Sequence, residues 1–432
     1  MSQRVGKLPA MFSSLRIRNY RLFLSGQVVS NIGTWMQRVA QDWLVLELSD
    51  YDPVALGVAV SLQFLPIPLF SLSAGVLADR LDKRTLLIYI QVAMAGQAAV
   101  LGLLDVGGAV QLWHAYLLCL VLGVVRAFEV PTRQAFVQEM VGPEQLSNAV
   151  PLNSSVFNMA RIAGPAIAGY VITWVGTGWL FLGNAVSIVG VITGLALMRP
   201  AELYRGKPAD KSKGQLRAGL HYVRQHRELP AVLVLIFFVS SFGITFFASL
   251  AIVAGNVFGT RADGYGLLST LLAVGTFTGA MMAARRGSKA APTLRLLLGS
   301  AFALGALQLL AAFMPTYVVF GIALVPVGYA TITFLNTANA FVQTSSSTAM
   351  RGRVMGLYVL VMMGGKPLGG PMTGWVADVF SGRAPFVAGG AIAMLAAGLC
   401  GLWLYRRRQS TGSGDSQAVA APESTAQAHA PS

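Results

Sequence analysis

Apolar runs close to twenty residues long recur from one end of the chain to the other. A helix rising ~1.5 Å per residue needs ~20 such residues to cross ~30 Å of hydrocarbon, so each run is the length of one membrane crossing. Inside hydrocarbon only helices and closed barrels satisfy their own backbone polar groups. These runs are continuously apolar and lack the alternation of lipid-facing strands. The expected fold class is therefore an all-α membrane protein. Twelve transmembrane helices are assigned, at approximately 22–47, 54–78, 85–106, 111–136, 147–173, 178–198, 230–257, 265–284, 292–314, 316–340, 353–378 and 385–405. Composition agrees, since 11% of the residues are charged, against ~25% in an ordinary soluble domain.

A formal net charge of +15 would suit a nucleic-acid binder, but its placement argues otherwise. On this map 26 of the 32 Lys and Arg fall in the two termini and in loops of one parity: 79–84, 131–146, 199–229, 285–291 and 341–352, with Arg295 and Arg353 at helix ends. Only Arg261 and Arg383 lie on the opposite side. That is the positive-inside bias, which predicts a multi-pass protein of the cell (plasma or inner) membrane with cytoplasmic N- and C-termini and no nucleic-acid partner. Cys119 and Cys400 fall in apolar runs of opposite halves and indicate neither a disulfide framework nor a metal cluster. The polar, basic first twenty residues precede a run carrying Arg38 and Asp42, and no cleaved signal peptide is read there.

The long polar stretch 199–229 divides the helices six and six. The expected organisation is a cytoplasmic N-terminus (1–21), an N-terminal six-helix bundle (22–198), a cytoplasmic central loop (199–229), a C-terminal six-helix bundle (230–405) and a disordered cytoplasmic tail (406–432). Within the central loop Leu216, Leu220 and Val223 repeat at helical spacing among Arg217, His221 and Arg224, which predicts a short helix on an anionic leaflet. The halves also look like copies. Ala135-Phe136-Val137-Gln138 recurs as Ala340-Phe341-Val342-Gln343, and Gly164-Pro165-x-x-x-Gly169 as Gly370-Pro371-x-x-Gly374, at offsets of 205 and 206. Such repeats place a substrate site between the halves, near the midplane.

The segment Gly75-Val76-Leu77-Ala78-Asp79-Arg80-Leu81-Asp82-Lys83-Arg84 resembles the loop signature of the major facilitator superfamily. Arg126 matches that family's intramembrane arginine, and Gly164-Pro165 resembles the Gly-Pro motif of its antiporters. The stretch from Phe12 to Arg21 and Arg351-Gly352-Arg353-Val354-Met355-Gly356 look further like its enterobactin and macrolide exporter branch. The wider pattern has Gly where Asp82 stands, so a different turn is expected there. The resemblance spans roughly residues 12 to 405. It implies two pseudo-symmetric six-helix bundles in the major facilitator fold. It also implies a cytoplasmic latch in which Asp79 caps or pairs near the start of the eleventh helix, with Gly75, Arg80 and Arg84 in the same network. An anion at a helix N-terminus contributes ~0.3–1 kcal/mol.

An ionised side chain at the bilayer centre costs ~2.5–3.5 kcal/mol on insertion scales, so those retained there face a cavity or each other. Six stand out: Arg38, Asp42, Arg126, Glu129, Arg161 and Lys366. Arg38 and Asp42 fall in line with Asn31 and Thr34, and Ser154, Asn158 and Arg161 share a face, which directs polar stripes to a central cavity. Asn31, Gln41, Asn158, Asn336 and Asn339 are its neutral candidates. Two readings of the carboxylates stand. In one, Asp42 and Glu129 exchange protons, because burial favours the neutral carboxyl and a nearby arginine the ionised one. In the other, Arg38–Asp42 and Arg126–Glu129 are intrahelical pairs that ease insertion. Positive charges outnumber negative ones among the six, which favours an anionic over a cationic substrate.

Proline lacks the amide donor and crowds the carbonyl four residues back, so Pro165 beside Gly164, and Pro367 and Pro371 beside Lys366, are expected to bend their helices for gating. Five phenylalanines crowd 237–247, where packing or lipid contact is the default role. No G-x-x-x-x-G-K-[ST] phosphate loop occurs, so the proton-motive force is the expected energy source, without a cofactor. The chain is thus read as a secondary active exporter of an amphiphilic small molecule, a siderophore or drug, by alternating access and proton antiport. Its partners are substrate, protons and membrane lipid, and it is expected to act as a monomer. An importer or facilitator of the same fold is the alternative. A membrane-embedded enzyme or channel is remote, since no nucleophile with its base, metal-binding spacing or filter-like loop is visible.

Overall fold

The computed structural model describes residues 10–204, 215–286, 292–348 and 350–418, which hold helices and turns but no strand. The first lobe comprises α1 (Arg18–Leu48), α2 (Pro53–Phe64), α3 (Pro66–Arg80), α4 (Lys83–Val106), α5 (Leu112–Val175) and α6 (Thr177–Ala196). After the short α7 (Gln215–Gln225) come α8 (Leu229–Phe238), α9 (Phe246–Ile252), α10 (Ala262–Arg286), α11 (Leu294–Ala312), α12 (Tyr317–Thr344), α13 (Arg351–Gly364), α14 (Lys366–Val379) and α15 (Ala384–Ala418). Nine stretches among the described residues are long and apolar enough to cross a membrane. Twelve crossings are consistent with this, because α5 has 64 residues and is counted once, α1 carries charge, and α13 and α14 are one stretch broken at Gly365. A π-turn at Val239–Gly243 joins α8 towards α9.

Local chemistry sets the helix starts. Asp52 accepts from the Val54 amide (2.7 Å) with Pro53 in the first turn, and Thr293 from the Leu296 amide (3.2 Å). Asp82 accepts from the Thr85 amide (2.9 Å) at an extended backbone (φ −61°, ψ 113°). Asp82 thus serves as the N-cap of α4, a position that Asp and Gly both suit. Asp82→Ala is expected to lower stability by ~0.5–2 kcal/mol and Asp82→Gly by only a few tenths, read as thermal unfolding of purified protein in detergent.

Three expectations change on folding. The presumed loop 131–146 is helical, and α5 runs through it with one non-helical residue, Gly142 (φ 69°, ψ 172°), where a Cβ would also lie 3.2 Å from the Tyr204 ring. The central-loop helix α7 docks on the second lobe: Val223 is buried and the Tyr222 hydroxyl accepts from the Ser347 amide (3.1 Å), although Leu220 stays exposed and Leu216's side chain lies outside the described set. Finally, α15 continues to Ala418, past the expected boundary at 405, and residues 419–432 of the tail lie outside the described residues.

The helix polarity puts the 49–52 and 258–261 turns at one end of the molecule and the basic 79–84 loop at the other. At the turn end the lobes interlock backbone to backbone. A Cβ on Gly57 of α2 would lie 2.6 Å from the Gly370 carbonyl oxygen, and one on Gly374 2.4 Å from that of Pro53. The second contact mirrors the first: a Cβ on Gly169 of α5 would lie 2.8 Å from the Ala262 carbonyl oxygen, and one on Gly266 of α10 2.5 Å from that of Pro165. The repeated Gly-Pro motif thus occupies equivalent places in the two lobes, α14 on α2 and α5 on α10. Only glycine lets helices pack this closely.

Candidate functional site

On the basic-end side of these contacts lies a cavity of about 390 Å³ between the lobes. Its first wall is the α1 stripe Gln27, Asn31, Thr34 and Arg38, spaced four, three and four so that each falls on one helix face. Gln91 and Met94 of α4 and Arg126, Glu129, Arg133 and Phe157 of α5 extend it, and Met363 and Lys366 come from the second lobe.

Two of the cations here lie over aromatic rings. The Arg38 guanidinium lies 5.4 Å from the Phe64 ring centre and 4.9 Å from that of Phe247, and Lys366 Nζ lies 4.6 Å from the opposite lobe's Phe64. A ring face attracts a cation by ~0.5–2 kcal/mol without neutralising it. Glu129 is the one carboxylate lining the cavity, and it pairs with Arg133 (2.6 Å), not with Arg126. Nor do Arg38 and Asp42 form an ion pair. Ion pairs among the described residues include Lys83–Glu139, Arg133–Glu129 and Arg199–Glu202. Arg38, Arg126 and Lys366 therefore leave the cavity strongly positive. Asn31 Nδ2 and Arg38 Nε, both enclosed, have no protein acceptor.

Asp42 lies one turn beyond Arg38, where the lobes have closed. It accepts from the Tyr265 hydroxyl of α10 (3.0 Å), both side chains are buried, and Trp43 stacks on Tyr265 with ring centres 6.3 Å apart. Arg161 also bridges lobes, donating to Thr276 of α10. Gln41 donates to Cys119 within the first lobe. Asn158 donates to the Ser154 carbonyl on its own helix (2.9 Å), Asn339 accepts from Gln343 (2.7 Å), and Asn336 is exposed. These five, with Asp42, do not line the cavity. Pro367 offers its carbonyl to Ser61 of α2 (2.6 Å), and Pro371 sits inside α14 against Gly57.

In the basic loop, Arg84 donates to the Leu195 and Ala196 carbonyls (2.7 and 2.8 Å) and so caps the end of α6. Arg80 is exposed and Gly75 half-buried, while the Asp79 side chain lies outside the described set. Sequence reasoning missed Phe64, Arg133 and Tyr265. Arg133 was findable from its i,i+4 spacing to Glu129, but Phe64 and Tyr265 matter through contacts with the distant Lys366 and Asp42, for which no local signal exists.

A model of the transmembrane secretion effector family matches residues 9–428. The chain belongs to that family. It is a multi-pass membrane transporter of the major facilitator superfamily, not an enzyme. Its relatives include the staphyloferrin A transporter of Staphylococcus aureus, 24% identical over 83% of this chain and 90% of that one. The multidrug efflux pump Tap of Mycolicibacterium fortuitum is 24% identical over 90% and 96%, and macrolide efflux protein A of Streptococcus pyogenes 24% over 52% and 55%. Among solved structures, the transporter resembles the POT family transporter PepTSo (TM-score 0.71, 13% identity, 91% and 99% covered). It also resembles a bacterial homologue of ferroportin (TM-score 0.67, 15% identity, 90% and 99% covered). These share its fold.

Proposed function

We propose that this transporter is a proton-driven exporter of an amphiphilic, anionic small molecule. The carrying observation is the charge of the cavity: Arg38, Arg126 and Lys366 face it without a carboxylate of their own, and the one carboxylate present is engaged by Arg133. A carboxylate or comparable anion entering the cavity would gain charge-assisted hydrogen bonds of ~1.5–3 kcal/mol each. Phe64, Trp35, Phe157 and Met94 supply apolar wall for the rest of the molecule. Siderophore and drug carriers among the relatives support export of such a compound.

In this reading the basic end is cytoplasmic, and the interlocked turn end is the outer gate in its closed state. Asp42 is the proton-coupling group. Its bond to Tyr265 ties α1 to α10 across the closed gate, so protonating the carboxylate weakens a tie that must break for the gate to open. Glu129, paired with Arg133, organises the cavity instead.

The test is uptake into inverted vesicles driven by an imposed proton gradient, with anionic and cationic candidate substrates compared. Anion accumulation that collapses with the gradient is expected. Asp42→Asn is expected to retain exchange of substrate down its gradient but to lose accumulation against it, whereas Glu129→Gln keeps both. Undiminished concentrative uptake by Asp42→Asn would overturn the coupling assignment.

A further inference from the structure

Outside the substrate cavity, the second lobe carries an open groove of about 520 Å³ between α8 and α15. Its walls are two regular stripes, Pro230, Val234 and Phe238 on one helix and Leu395, Leu399 and Trp403 on the other. Each repeats every fourth residue, so each is a single helix face. Ala396 keeps the wall between them low. From Leu395 to Trp403 the groove runs ~12 Å at ~1.5 Å per residue, about the hydrocarbon depth of one leaflet.

The head of this groove is basic. Arg407 follows Trp403 by one turn, with its guanidinium 4.9 Å from the indole ring centre, and donates to the Arg227 carbonyl (3.3 Å). Arg227 in turn donates to the Arg407 carbonyl (3.5 Å). The two guanidiniums are thereby fixed over the groove mouth, with exposed Arg406 beside them and Glu228 the adjacent carboxylate. The cluster keeps a positive excess at the level where a tryptophan marks the membrane interface.

We propose that this groove binds one glycerophospholipid with an anionic headgroup, an acyl chain lying along α8 and α15 and the phosphate held by Arg227, Arg406 and Arg407. An apolar trough of leaflet depth fits an acyl chain, and a cluster of arginines at its mouth selects a negative headgroup. The site is independent of the transported substrate. It backs the segment leading to the π-turn at Val239–Gly243, against which Gly365, the N-cap of α14, and Gly369 pack.

Native mass spectrometry of the full chain in detergent, titrated with phosphatidylglycerol and phosphatidylcholine of identical acyl chains, tests the assignment. Wild type is expected to retain one phosphatidylglycerol preferentially. The R406Q/R407Q variant is expected to weaken that retention roughly tenfold or more and leave phosphatidylcholine unchanged, given ~1 kcal/mol per basic residue near a membrane surface. Ala396→Phe fills the groove without touching the arginines and is expected to abolish the preferential retention, which decides the matter should the double variant fail to fold. Equal retention of both lipids by wild type, or unchanged phosphatidylglycerol retention in either variant, overturns the site and leaves only annular lipid.

Discussion

Gly370→Leu is expected to cut transport by tenfold to a hundredfold while the protein remains folded. A Cβ at that position would stand 2.7 Å from the Gly57 carbonyl oxygen and 3.1 Å from Val60 Cγ1, and neither backbone can retreat without parting α14 from α2. Overpacking of this kind costs ~1–3 kcal/mol, and each 1.4 kcal/mol is a factor of ten in an equilibrium. The strain falls only on the state in which the lobes meet at the turn end, so the variant shifts the population away from it. Initial rates in vesicles give the loss. Reaction of a cysteine placed at Ser61, which now bonds the Pro367 carbonyl across the interface, gives the cause: modification by an impermeant thiol reagent is expected to accelerate. The native Cys119 and Cys400 are buried. Transport within twofold of wild type would show that this interlock is not a gate.

The second large effect concerns the cationic cavity. Lys366→Ala and Arg38→Ala are each expected to raise KM for an anionic substrate by tenfold to a hundredfold, the loss of one charge-assisted contact of ~1.5–3 kcal/mol. A neutral analogue of the same size is expected to lose less than about threefold, because no ionic contact is removed for it. Phe64→Leu keeps the cations and removes the ring they share, and a smaller change follows from a cation–π contribution of ~0.5–2 kcal/mol. Kinetics on a matched anionic and neutral pair decide the point. Equal losses for both compounds would mean that the cations serve the fold and not the ligand.

The cavity charges illustrate how far residue spacing carries. Asn31, Thr34 and Arg38 repeat at helical period on one run and do line one wall. Asp42 belongs to the same stripe in sequence yet leaves the cavity, because stripe membership states direction around a helix and not the depth at which a neighbouring lobe closes over it. The pairing of Glu129 was misassigned for a related reason. Arg126 lies three residues before Glu129 and Arg133 four after it on one helix, so spacing admits either partner, and the fold places Arg133 at 2.6 Å.

The repeated Gly-Pro motif is the converse case. Its offset was readable as internal duplication, and the structure assigns it a place: Gly169 against Ala262 and Gly374 against Pro53, the same contact made twice. Prolines were expected to bend both helices: Pro165 lies inside α5 without ending it, and the break between α13 and α14 at Gly365 falls two residues before Pro367.

What the sequence determined by itself was the helical membrane fold, the repeat of its Gly-Pro motif and the side chains too costly to leave in lipid. Each follows from local rules: the length of an apolar run, the period of a helix, the solvation cost of a charge. Only the tertiary structure decided that Phe64 sits between Arg38 and Lys366, that Tyr265 reaches Asp42, and that the arginines of α15 stand over an apolar groove. Those pairings join residues far apart in the chain, and what selects them is how two lobes fit together, a property that no stretch of sequence contains alone.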